Sequence, residues 1–147
     1  MPFQHSTDLS QAITPGFFRR LAAMLYDVLL LLALQLVATS LITLPFGMPS
    51  GKVLIVYQLF LFELVPLAFF TGFWIWGGQT LGMRAWHLKL LKSDGTVPHW
   101  GDVCKRYLAA HLSLVMIGLG FLWILVDSEK LAWHDRLSHT RPVLIER

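Results

Sequence analysis

Three long apolar runs divide this chain, with a short turn between the first two and a long polar stretch before the third. The first runs from about residue 18 to 44. From Leu21 onward its only ionisable side chains are Tyr26 and Asp27. The second, about 53 to 76, carries Glu63 near its centre and Pro66 three residues later. The third, 107 to 126, carries His111 in its first turns and Gly118 and Gly120 at its middle. A helix needs about 20 apolar residues to cross a bilayer, and all three runs are long enough. Pro45, Gly47, Pro49 and Gly51 cannot continue a helix. They predict a tight turn, and so an antiparallel hairpin of the first two spans.

The polar segments fill in the architecture. Residues 1–16 form a polar N-terminal arm closed by Pro15-Gly16, and residues 17–147 form one membrane domain. Phe17 and Phe18 beside Arg19 and Arg20 make an interface anchor, and Trp74 and Trp76 mark the far interface of the second span. In the middle loop, Trp86 to Leu91 reads as a half-buried extended element. Ser93-Asp94-Gly95 is a turn, after which Thr96-Val97 can return as a second strand. Asp102 suits the cap of a helix beginning near Val103. In the tail, Ser128 to Leu137 reads as a polar helical piece and TRPVLIE as extended chain, able to pair with the middle-loop element. The fold class expected is therefore all-α membrane protein, three apolar segments, with a small β-like element between the second and third.

The third run admits two readings. It crosses as one helix, or its glycines break it into a re-entrant hairpin, which survives only where protein covers the freed backbone. Length favours the single span. Charge favours the hairpin. With a hairpin, eleven of the 12 Lys and Arg residues share the side of the arm, middle loop and tail, and only Lys52 lies opposite. With a single span the division is seven against five. The positive-inside rule places the arm and middle loop in the cytoplasm in both cases.

Composition agrees with a membrane protein: 55% of residues are hydrophobic and 14% charged, with mean hydropathy +0.58. The net charge of +3 does not point to nucleic acid, because the basic residues cluster in loops beside apolar spans. The lone Cys104 excludes an intrachain disulfide, and no histidine spacing suits zinc. The polar first residues lack the basic region of a signal peptide.

Asp27 is the first candidate for chemistry. A carboxylate at that depth costs roughly 2.5–3.5 kcal/mol and needs compensation. Arg20 lies seven residues earlier, on the same helical face and about 10 Å along the axis. Asp27 then serves as an ion or proton site, or as half of a fixed salt bridge to Arg20 or Arg106 that locks helices. Glu63 is a second titratable group that could face Asp27. His111 could relay protons or simply bond a neighbouring helix. No nucleophile–base pair and no phosphate-cradling glycine loop points to an enzyme.

Three blocks carry a resemblance. Arg20, Ala23 and Asp27, then GQTLGMRAWHLKLLKSDG, then WHDRLSHTRPV resemble the RDD family of small bacterial membrane proteins, named for one arginine and two aspartates. The resemblance maps the arginine onto Arg20 and the aspartates onto Asp27 and Asp135. It implies a bacterial inner-membrane location with cytoplasmic N-terminus, and a network in which Asp27 and Asp135 flank Arg20. It suggests transport of a cation or small solute, including sodium–proton antiport. The chain departs from the family at Ser138-His139, where a small residue and glycine are common, and at Arg141-Pro142, which weakens the expected strand. The function expected is a transporter or transporter component with no cofactor and no metal, exchanging a cation or small solute for protons. Three spans are few to enclose a pathway, which implies a homo-oligomer in the lipid bilayer. The rival is a non-transporting scaffold or assembly factor.

Overall fold

The structure, a computed structural model, describes residues 12–145. The first eleven residues of the expected arm lie outside that range. Helix α1, Phe17–Phe46, begins after Pro15-Gly16 and ends where Pro45 and the positive φ of Gly47 stop it. Only Arg20, Ala23 and Asp27 are buried along it. These are positions i, i+3 and i+7, one narrow stripe of one face.

The second span is Gly51–Gly77. It consists of α2, Gly51–Leu59, a π turn at Phe60–Leu64, and α3, Val65–Gly77. Pro66 explains the π turn. A proline inside a helix has no N–H and its ring crowds the carbonyl one turn back, so the helix widens. The Val65 N–H then bonds the Phe60 carbonyl, which frees the carbonyl of Leu61. Gln35 of α1 donates to that carbonyl at 3.0 Å, and Tyr107 donates to the Glu63 carbonyl at 3.3 Å. The widened turn is thus stitched to both neighbours.

Gly78 closes α3 at φ 67, and its carbonyl accepts from Leu90 N–H at 2.6 Å. A Cβ there would collide with the Leu90 carbonyl. The chain then forms α4, Leu81–Ala85, and β1, Leu88–Lys92. Helix α5, Trp100–Val115, starts earlier than Asp102 suggested. Asp102 accepts from the His99 N–H at 3.1 Å, the reach-back of an N3 carboxylate.

The third apolar run is not one straight helix. Between α5 and the following piece, α6 at Leu119–Leu122 with a 3₁₀ turn at Trp123–Leu125, the axis bends by 105°. The break is at Ile117 and Gly118, both with positive φ. A β-branched residue enters that region only when the surroundings force it. Gly120 lets the second limb fold back, since a Cβ there would strike Ser113 and Trp133. The run is therefore bent, as a broken span or a re-entrant loop is. Two spans are clear by length and composition, and the third run is a bent pair.

Helix α7 is only Trp133–Leu137, and β2 is Thr140–Leu144. β1 and β2 pair antiparallel, Leu88 against Leu144 and Lys92 against Thr140. The strand expected of the tail therefore forms, and it runs through Arg141-Pro142. In a two-stranded ribbon the missing proline donor is tolerated at an edge. Thr96-Val97 does not supply the partner strand: Thr96 closes a turn, accepting from the Lys92 N–H and donating its own N–H to Asp94. His139 sits at φ 51, a conformation glycine would adopt at less cost.

The sheet marks the compact part of the molecule. Leu88, Leu90, Leu91, Val103 and Val143 are almost fully buried, and Trp74, Leu90 and Val103 pack with Phe70, Ile75 and Met83. Trp74 is thus a core residue and not the interface anchor expected of it, whereas Trp76 is 90% exposed. Beyond this core the two long helices project with bare apolar faces. Only 11% of each 18-residue apolar window is buried, the inverse of a soluble protein and the surface a bilayer would cover.

Candidate functional site

The polar centre joins three distant segments. Asp135, the third residue of α7, reaches back to the Ala132 N–H at 2.9 Å, as an N3 carboxylate does. The same carboxylate receives Arg20 from α1 at 2.5 Å and Arg106 from α5 at 2.6 Å. Arg20 also donates to the Lys130 carbonyl at 2.9 Å, and Arg106 to the Thr140 hydroxyl at 3.0 Å. Ser138 shares a 2.6 Å hydrogen bond with Thr140 and completes the ring. Arg20, Arg106 and Asp135 are all buried.

Burial alone would push the Asp135 carboxyl up. The Arg106 and Arg20 guanidiniums outweigh burial and hold it well below the ordinary carboxylate range. Beside it, His134 Nε2 lies 3.5 Å from Asp135. Burial, with the positive Arg106 nearby, pushes the imidazole down to about 3, so it is neutral at physiological pH.

Asp27 is placed differently from expectation. Among the described residues, the carboxylate that meets Arg20 is Asp135, not Asp27. Asp27 instead accepts from the Thr80 hydroxyl at 2.5 Å and from the Gly82 N–H at 2.8 Å, one bond on each oxygen. Thr80 is the N-cap of α4 and also accepts from Met83 N–H. The reason is steric as well as electrostatic. Gly82 packs so tightly on α1 that any Cβ would strike the Ala23 carbonyl and the Asp27 carboxylate. The short helix presses onto the stripe of Arg20, Ala23 and Asp27, and its exposed N–H donors meet the buried acceptor.

Glu63 does not face Asp27 either. Its partner is His111 of α5, with Nε2 3.3 Å from the carboxylate, both half-exposed. On its other side, His111 Nδ1 lies 3.1 Å from the Tyr107 carbonyl. The widened π turn carries Glu63 toward α5 and away from α1.

These elements surround a cavity of about 390 Å³, inside the roughly 300–1,000 Å³ range of small-molecule pockets. Arg20, Asp27, Thr80, Arg106, His111 and His134 line its polar parts. Leu31, Phe62, Phe70 and Leu114 line its apolar part. Asp135 sits behind the two guanidiniums and Glu63 lies outside the lining. Among the described residues no group of three or more His, Cys, Asp or Glu side chains could hold a metal ion.

Residues 14–139 match the RDD family. The chain belongs to the RDD family. No curated protein and no solved structure matches it. Arg20 and Asp135, which the resemblance maps onto the family's arginine and second aspartate, are directly bonded, while Asp27 holds α4. Together with the bare apolar helices, membership makes this RDD protein an integral membrane protein.

Sequence reasoning ranked Arg106 as secondary, although it is an equal partner of Asp135. It missed Thr80, Gly82, His134, Ser138 and Thr140 as parts of the site. A signal existed for the first two. A threonine two residues before a glycine, at the start of a short helix in a loop, is an N-cap beside a close approach.

Proposed function

We propose that this RDD protein is a transporter, or the membrane component of one, that moves a small solute in exchange for protons. The observation that carries this reading is the cavity itself. It lies between α1, α3 and α5 of a membrane protein and holds buried polar groups at its edge. Of the two cargo classes expected from the sequence, the lining favours a small solute over a free cation, because a cation would meet two guanidiniums.

Asp27 is the proton site in this reading. Each of its oxygens accepts one hydrogen bond, and a bound proton removes the negative charge that strengthens both. Protonation thereby loosens α4 from α1 and alters one wall of the cavity. Pairing between the segments supports a cytoplasmic placement of the N-terminus. β2 bonds β1, the Leu144 N–H bonds the Ile13 carbonyl, and Arg141 bonds Thr14. These contacts support one shared side for arm, middle loop and tail, with Lys52 opposite, and the positive-inside rule favours that side as cytoplasmic. Two spans and a bent pair are few to enclose a pathway, so the working unit is a homo-oligomer in the inner membrane.

The scaffold reading rests on a separate observation: Arg20, Asp135 and Arg106 tie α1, α7 and α5 together without any ligand. Proton flux separates the two. Liposomes carrying the purified protein and a pH-sensitive dye are challenged with alkali cations, inorganic phosphate and dodecyl phosphate. Transport gives a solute-dependent pH change that Asp27→Asn abolishes while the protein stays folded and inserted. Absence of any pH change with wild-type protein favours the scaffold.

A further inference from the structure

The salt-bridge network does not use all the polar groups that border the cavity. Among the described residues, Arg106 Nε, Trp74 Nε1, His134 Nδ1 and Ser113 Oγ are buried and have no hydrogen-bond partner. All four residues line the cavity, and each is more than nine-tenths buried. A buried donor without a partner, above all on a charged group, costs free energy that a bound ligand can recover.

Their chemistry is specific. Arg106 spends one terminal nitrogen on Asp135 and Thr140 and keeps Nε unspent. Its guanidinium lies 5.2 Å from the centre of the Trp74 ring, so the indole N–H belongs to the same corner. His134 turns Nε2 toward Asp135, which leaves Nδ1 of a neutral ring as an acceptor. The corner thus offers at least two donors and one acceptor. Two guanidiniums face one carboxylate there, an excess of one positive charge. Asp27 borders the same cavity, but it is held by Thr80 and Gly82 and pairs with neither arginine.

Apart from Asp27, Thr80 and His111, the rest of the lining is aliphatic and aromatic. It runs along α1 from Arg20 to Leu31, about 16 Å at 1.5 Å per residue. It ends at Val28, Phe62 and Leu114, which are exposed on the apolar surface of the helices. The polar corner therefore lies near the start of α1, and the apolar end opens deeper along the span.

We infer that the cavity binds an anionic amphiphile, a phosphate or carboxylate head on a single aliphatic chain, with the head on Arg106, Trp74 and His134 and the chain between α1, α3 and α5. A phosphate monoester also carries the one hydroxyl that His134 Nδ1 can accept. This deepens the solute-binding reading and rests on it.

The full chain, purified in a nonionic detergent, is titrated with dodecyl phosphate, laurate, dodecanol and inorganic phosphate. Thermal melting reports binding and native mass spectrometry counts the ligand. The inference requires that dodecyl phosphate or laurate raise Tm and add as one molecule per chain, while dodecanol and inorganic phosphate do neither. Trp74→Phe keeps a ring over Arg106 but removes the N–H. Measured as the ligand-induced rise in Tm over the variant's own baseline, which the smaller core side chain also lowers, it should weaken binding roughly tenfold or more. Ala110→Phe should fill the apolar part and abolish binding. Equal binding of dodecanol removes the anion-recognition claim, saturation by inorganic phosphate alone removes the chain, and no binding overturns the whole. A protein that binds dodecyl phosphate yet shows no proton flux refutes transport and leaves this inference standing. Flux without such binding does the reverse.

Discussion

Asp135 is the residue on which three segments depend. It is fully buried and faces two guanidiniums. Asp135→Asn keeps the shape but leaves both cations unpaired away from water. Removing one member of such a buried set costs about 3–5 kcal/mol, and thermal melts in detergent should show a loss of that order. His134 gives a separate pH signature. Its folded value lies near 3, below the 6.5 of the free side chain, so the unfolded chain binds a proton that the folded chain refuses. Stability is therefore complete above pH 6.5 and falls as pH drops toward 3, by up to about 1.4 kcal/mol per pH unit. Asp135 adds no slope there, because its own loss begins only below the unfolded carboxylate value of about 3.9. His134→Gln keeps an N–H for Asp135 and should flatten the fall of Tm between pH 6.5 and 4. Asp27 was legible in the sequence as a charge that an apolar helix must neutralise, and Asp135 beside Arg20 through the family resemblance. That Asp27 would not also meet Arg20 was not legible, because spacing along one helix favours that pair, whereas α4 claims Asp27 from the side.

At the scale of elements, α4 is a wedge held by its first turn. Gly82→Ala puts a methyl group against the Ala23 carbonyl and the Asp27 carboxylate, neither of which can move far. It should destabilise by about 1–3 kcal/mol or more, whereas Gly101→Ala, on an open face of α5, should not destabilise. Melting both variants side by side checks the contact. The long helices were readable to within a few residues from length and hydropathy. The 105° break in the third run was readable only as an alternative, since Gly118 and Gly120 permit a turn but do not require one. What decides it is distant: Gly120 must pass Trp133, and β2 must return to β1. The π turn at Glu63 was likewise invisible as a turn, although Pro66 was its cause.

For the whole molecule, the polar core gathers at one end of two bare helices, and everything proposed for the cavity depends on that polarity. A straight third span would carry Asp135 to the far side of the bilayer, away from Arg20. The direct measurement is side-specific cysteine labelling in sealed vesicles, on a Cys104→Ser background. Single cysteines replace Ser50 in the first turn, Ser93 in the middle loop and Glu129 in the tail, all exposed. The re-entrant arrangement requires that Ser93→Cys and Glu129→Cys label from the same side and Ser50→Cys from the other. Labelling of Glu129→Cys together with Ser50→Cys would contradict it.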